Sequence, residues 1–316
     1  MITNNSAKKN NPDWTKNSPY DFFIKFIAQK ADRYAILLEC IEKLKFNCTV
    51  IPVEGNRHIF IFPPGQHSLR SSGGVFPFKG KDPFLFSAHY DRVDGSPGAN
   101  DNSIAVFHLL KAASFFYKKG INNWIIVFTD KEELVSGESF EDQGAYSLAK
   151  KLKAWGLENP KIFNFDVCGA GNVFIFSTTT DTILKNSGSL NINRVRDAII
   201  KLREYALSTA NILRLEKVLL APTPFSDEMG FLRAGFPALT VTILPQREAD
   251  IYENMLRNRS DFTELIISGK IKEQHENRIL PETWRNINNA SDTISRLTPE
   301  YFEQFVSFVI KLACNK

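Results

Sequence analysis

The chain is 316 residues long, 43% hydrophobic and 23% charged, which is enough apolar material for one large α/β domain or two small ones. A net charge of +4, from 39 Lys and Arg against 35 Asp and Glu, is too small and too dispersed to argue for a nucleic-acid or membrane-surface partner. No run approaches the roughly 20 apolar residues that span a bilayer.

Residues 1–18 are polar and read as a flexible arm, without the apolar segment of a secretory signal. From Tyr20 to Phe46, the spacing of Phe22, Phe23, Phe26, Ile27, Ile36, Leu37, Ile41 and Leu44 predicts one or two helices. Residues 49–53 and 58–62 alternate around Glu54-Gly55-Asn56, a hairpin signal in which His58 is structural. His67 falls in the Gly/Ser/Pro-rich loop 63–74. The stretch 84–103, FLFSAHYDRVDGSPGANDNS, is an apolar strand ending in His89 and Asp91, followed by a turn-rich loop with Asn100, Asp101 and Asn102. Residues 104–119 form a strongly apolar helix with His108 in its buried interior. A second strand, WIIVFT at 124–129, ends in Asp130-Lys131-Glu132-Glu133.

A helix over 145–155 leads to the strand 162–165, which ends in Asp166-Val167-Cys168-Gly169. A strand over 172–177 and an amphipathic helix over 193–208 come next. Ser226-Asp227-Glu228 opens a helix to Ala234, and Gly235-Phe236-Pro237 turns it into the strand 238–244. A charged insertion spans about 246–282. The last helix starts at Thr298, with Thr298 as its cap and Pro299 in its first turn. Strands alternating with helices define an α/β fold, a mostly parallel central sheet with helices on both faces. No linker divides residues 19–316, so a single catalytic domain is expected. Twenty-six Phe residues imply a large aromatic core. Cys40, Cys48, Cys168 and Cys314 have neither CxxC spacing nor the density of a disulfide scaffold, which points to reduced thiols in a cytoplasmic protein.

Three strands therefore end in imidazole or acidic groups: His89 and Asp91, Glu132 and Glu133, and Asp166. Asp101 joins them from the loop between the first two. Neighbouring parallel strands lie about 4.8 Å apart, so these ends meet at one edge of the sheet. Carboxylates that close raise one another's pKa unless a cation neutralises them. One imidazole among carboxylates suits zinc, with manganese or cobalt as substitutes. Asp91, two residues past His89, is placed to take the second imidazole N–H and fix the ring. Of the adjacent pair Glu132-Glu133, one carboxylate can bind metal while the other acts as general base for the attacking water.

With HYD, GANDNS, DKEE, FNFDVCG, SDE before F-x-x-x-G-F-P, and a terminal SDT, the chain from about Phe84 onward resembles the zinc-dependent exopeptidases related to bacterial leucyl aminopeptidase and to glutaminyl cyclases. The resemblance implies a zinc exopeptidase-like, phosphorylase/hydrolase-like sandwich. It also implies that His89 and Asp166 bind one zinc, that Asp101 bridges two, that Glu133 binds the other, and that Glu132 is the general base. Two positions depart from that pattern. The family's last zinc-ligand histidine falls on Asn288, and its Ser-Asp-His is Ser226-Asp227-Glu228. The site of His89, Asp101 and Asp166 is complete, and the one of Asp101 and Glu133 is weakened. His275, in the charged insertion, is a candidate surrogate, and the insertion itself is expected to border the pocket as a lid or subunit contact. The expected activity is metal-dependent cleavage of N-terminal residues from a peptide substrate. Cyclisation of N-terminal glutamine is an alternative, and a degraded homologue that binds peptide without turnover is another.

Overall fold

Eight strands form one sheet in the computed structural model: β1 (Asn47–Val53), β2 (Asn56–Phe62), β3 (Phe84–His89), β4 (Trp124–Thr129), β5 (Lys161–Phe165), β6 (Val173–Ser177), β7 (Val218–Ala221) and β8 (Ala238–Leu244). Their spatial order is β1-β2-β4-β3-β5-β8-β6-β7. The structure describes residues 18–65, 78, 82–185, 190–268 and 280–314. His67, His275 and nearly all of the N-terminal arm lie outside the described residues.

The central strands β4, β3, β5 and β8 are mutually parallel. Every residue of β3 and β4 is buried, as strands covered on both faces require. β1 and β2 close the sheet on one side as a hairpin, with β2 antiparallel to β4. Its turn takes φ +48° at Glu54 and +86° at Gly55, the left-handed pair that a two-residue hairpin needs to match strand twist.

Eleven α-helical segments are described: α1 (Phe23–Phe26), α2 (Arg33–Lys43), α3 (Ile104–Lys119), α4 (Gly144–Ala154), α5 (Thr179–Leu184), α6 (Leu190–Ile212), α7 (Glu228–Arg233), α8 (Gln246–Asn258), α9 (Phe262–Ser268), α10 (Glu282–Asn286) and α11 (Phe302–Cys314). Period-2 alternation sorts the core. Phe84, Phe86, Phe163, Phe165, Phe174 and Phe176 face α3, α6 and α11, where the last three meet Phe305 and Phe308 at ring distances of 5.0–6.4 Å. Leu85, Ile125, Val127 and Ile162 face α4 on the opposite side, and Val173 and Ile175 face α8 and α10 there. His108 belongs to the first face. Its Nδ1 is hydrogen-bonded to the Tyr20 hydroxyl at 2.6 Å, and its ring lies between Phe302 and Phe305.

Four features differ from the sequence reading. The edge strand β7 pairs with β6, and β6 runs antiparallel to β8, so the sheet is mixed at that end. The helix expected over 193–208 extends over Leu190–Ile212. The charged insertion, in which the sequence reading assigned no element, contains α8 and α9, with α8 anchored by buried Ala249 and Tyr252. Thr298 does not cap the final helix: its hydroxyl accepts the Gly171 N–H at 2.6 Å and pins the loop after Asp166, and the chain passes through a 3-10 turn (Pro299–Tyr301) before α11. No helix among the described residues is long and apolar enough to cross a membrane.

Candidate metal centre

The carboxyl ends of β4, β3 and β5 lie side by side, and each expected site residue is delivered there. His89, 1% exposed, ends β3. Its Nδ1 lies 3.4 Å from Asp91 Oδ1, and its Nε2 lies 3.1 Å from Asp101 Oδ1 and 3.5 Å from Asp166 Oδ1. Asp91 thus sits behind the ring, and its other oxygen accepts the Glu133 N–H at 3.1 Å. That bond ties the loop after β3 to the loop after β4.

The loop carrying Asp101 is fixed from several directions. Gly98 enters it at φ +61°, where a Cβ would stand 2.8 Å from Asp101 O and 3.1 Å from Arg33 Nη2, so only glycine fits. Asn100 Oδ1 accepts the Gly169 N–H at 2.7 Å, and Asn102 Nδ2 donates to Phe165 O at 2.7 Å. The two oxygens of buried Asp292 accept the N–H groups of Asn100 and Asp101. The Asp101–Asn102 peptide is cis.

Glu132 and Asp166 each follow or precede a residue in the left-handed region. Lys131 has φ +59° and Val167 has φ +54°, a costly conformation for a β-branched side chain. Neighbours hold both in place. Thr242 Oγ1 and the Ile243 N–H donate to Val167 O, and the Gly144 N–H donates to Lys131 O. Gly144 is required there, since a Cβ would overlap Asp130 O at 1.9 Å.

Ligand atoms of His89, Asp101 and Asp166 lie within 4.8 Å of one another, and so do those of His89, Glu132 and Glu133. Burial disfavours a charged His89, but the surrounding carboxylates of Asp101, Asp166 and Asp91 outweigh it and hold the imidazole well above its ordinary range. Burial, reinforced by neighbouring carboxylates, pushes Glu132 well up and Glu133 up to about 9. Beneath them, burial also raises Asp227 to about 7 and Glu228 to about 8. The Thr129 hydroxyl donates to Asp227, and the Thr240 hydroxyl donates to Glu228.

Several metal-donor atoms here are buried without a well-directed hydrogen bond: His89 Nε2, Glu133 Oε1 and Asp166 Oδ1. Leaving such atoms unpaired is costly, and a divalent cation between them would satisfy nitrogen and oxygen donors together. The donor set of one imidazole with carboxylates fits zinc. Among the described residues, the other histidines serve elsewhere: His58 Nδ1 accepts the Asp130 N–H at 3.2 Å, and His108 lies in the aromatic core.

Asp101, Glu132 and Asp166 line a cleft together with Phe225, Trp284, Ile287 and Asn288. Asn288, at φ +62°, therefore reaches the site from the distant segment on which the resemblance places the family's histidine. Arg33 and the clamp role of Asp292 are absent from the sequence reading. The terminal Ser-Asp-Thr was the only signal for the latter.

Residues 75–312 match peptidase family M28, and the chain belongs to that family. No curated protein matches it. Among solved structures, a Zn-dependent exopeptidase from Parabacteroides distasonis superposes with a TM-score of 0.59 at 14% identity, over 96% of this chain and 99% of its own. Tannerella forsythia glutaminyl cyclase gives 0.59 at 14% identity, over 95% and 98%. A Bacillus subtilis zinc aminopeptidase gives 0.51 at 17% identity over 81% of this chain, which spans about half (49%) of that enzyme's length. At these identities the likeness is one of fold.

Proposed function

We propose that this chain is a zinc-dependent aminopeptidase that releases the first residue of peptides with a free N-terminus. The observation that carries the reading is the placement of His89 Nε2 within 3.1 Å of Asp101 and 3.5 Å of Asp166, with Glu132 lining the same cleft. His89, Asp101, Asp166 and Glu133 would hold one or two zinc ions, with manganese or cobalt as substitutes. A metal bound there would supply Lewis acidity to the scissile carbonyl and to the attacking water.

Glu132 takes a proton from that water as oxygen bonds to the carbonyl carbon, and returns it to the leaving amine as the C–N bond breaks. Asp91 holds His89 in one tautomer through Nδ1. The acidic rim attracts the substrate's α-ammonium, and Phe225, Trp284 and Ile287 offer an apolar wall to its first side chain. Cyclisation of N-terminal glutamine is a second reading, supported by the near full-length overlap with a glutaminyl cyclase fold. There the α-amine would attack the substrate's own γ-carboxamide, with Glu132 carrying the proton to departing ammonia.

One assay separates the two: aminoacyl-nitroanilides and an N-terminal glutaminyl peptide, offered to protein whose metal content is measured by elemental mass spectrometry. Nitroaniline release at one or more zinc per chain is expected. Pyroglutamyl product with ammonia would favour the cyclase. A metal-loaded chain that converts neither substrate would sink both readings and leave a peptide binder.

A further inference from the structure

Arg33 opens α2, outside the residues that match the peptidase family. Asp32 caps the helix by accepting the Ala35 N–H at 3.0 Å, which fixes where Arg33 leaves it. The side chain is 6% exposed, stacks 4.4 Å over the Phe26 ring, and points at the back of the metal centre. All five of its N–H groups have an acceptor. Nη1 donates to Tyr90 O at 2.9 Å and to Asp91 O at 2.7 Å. Nη2 donates to Gly98 O at 3.0 Å and to Ser103 Oγ, and Nε makes a longer contact of 3.4 Å with Phe26 O.

These acceptors bracket the site. Tyr90 and Asp91 directly follow His89, whereas Gly98 and Ser103 stand on either side of Asp101. One rigid planar fork therefore spans the two loops whose side chains approach each other at 3.1 Å. Burial and the like charge of Arg92 disfavour this cation, and the carboxylates of Asp91, Asp101 and Asp292 offset them in part. A lysine could not replace it, because an ammonium has no planar fork and fewer donors.

We infer that Arg33 is a positioning residue for the metal centre: its guanidinium sets the separation of His89 from Asp101, which makes the N-terminal helical segment a working part of the site. The inference rests on the metal reading above and goes beyond it, since it assigns a task to residues outside the family match. A cation buried only to hold the fold would affect stability and leave metal affinity alone.

The test is a Co²⁺ titration of the full chain, followed by visible absorption, on metal-free wild type, Arg33→Lys and Arg33→Ala. Outer partners of metal ligands typically change affinity by about 10- to 100-fold, and a loss in that range is expected for both variants, with a changed Co²⁺ band. Methylguanidinium in the buffer is expected to recover part of the Arg33→Ala loss, and ethylammonium is not. Wild-type affinity and spectrum in a folded Arg33→Ala would overturn the inference, as would a loss that both amines relieve equally. Should Arg33→Ala fail to fold, Arg33→Lys decides, and unchanged Co²⁺ affinity there overturns it. A wild type that takes up no Co²⁺ overturns the metal reading itself, and needs no variant to be recognised.

Discussion

Asp292 accepts the backbone N–H of Asp101 at 2.9 Å across 191 residues of chain. Its second oxygen takes the N–H of Asn100 at the same distance, so one buried carboxylate clamps the loop that presents Asp101. Burial and the charge of Asp101 push its pKa up to about 6. Asp292→Asn keeps the shape but turns one acceptor into a donor facing an N–H. Leaving a buried donor unsatisfied costs about 1–3 kcal/mol, so the variant is expected to lose about that much stability and to bind Co²⁺ more weakly. Urea unfolding and the Co²⁺ titration measure the two effects. No change in either would mean the clamp is incidental.

The roles proposed for Glu132 and Glu133 separate chemistry from metal binding. Glu132→Gln removes the base while preserving volume, and is expected to lower kcat by about 10²- to 10⁴-fold with metal content unchanged. Glu133→Gln is expected to reduce metal occupancy instead. Elemental analysis beside steady-state kinetics tells the two apart, and equal metal loss in both would reverse the assignment of roles.

Asn288 offers the cleft a neutral amide oxygen, a poor zinc ligand beside an imidazole. Its φ of +62° lies in a region that histidine tolerates better than most residues. Asn288→His is therefore expected to fold and to raise zinc from near one towards two ions per chain. If wild type already holds two, Asn288 or a residue outside those described completes the second position.

Two buried imidazoles set an acid limit on the fold. Burial lowers His108 to about 3 and His58 to about 4, against 6.5 when unfolded. The unfolded chain therefore binds more protons below pH 6.5, and stability is lost as pH falls from there towards 4 and then 3. Each group opposes folding by roughly 3–5 kcal/mol at its limit. His108→Gln keeps an acceptor near the Tyr20 hydroxyl without titrating, so its unfolding free energy is expected to fall less steeply between pH 6.5 and 4. An unchanged slope in urea titrations across that range would remove His108 from the account.

The parts of the site that follow an apolar run in the sequence were readable there. WIIVFT before Glu132 and Glu133, FLFSAH containing His89, and the strand before Asp166 carry both their strand signal and their chemistry within a few residues. What holds those loops was not readable. Arg33 reaches acceptors 57 to 70 residues away, and Asp292 accepts from N–H groups more than 190 away, distances at which no local pattern exists. β7 escaped for another reason: at four residues with half-exposed Leu220, it is too short and too mixed to stand out from a helix end. The helix α8 escaped because it buries little besides Ala249 and Tyr252, so its sequence reads as solvated charge. Thr298 followed by Pro299 fits a capping pattern, but the demand of the Gly171 N–H took the hydroxyl instead.

β2 lies against β4 through Ile59, Phe60 and Ile61, and this hairpin precedes the span that matches the peptidase family. A fragment trimmed to that span would turn WIIVFT, six buried residues without a charge, into an open edge ready to pair with its own copy. The borders at which the family is recognised are thus not borders at which this protein can be cut. A truncated version should be expected in inclusion bodies, whatever the state of its active-site residues.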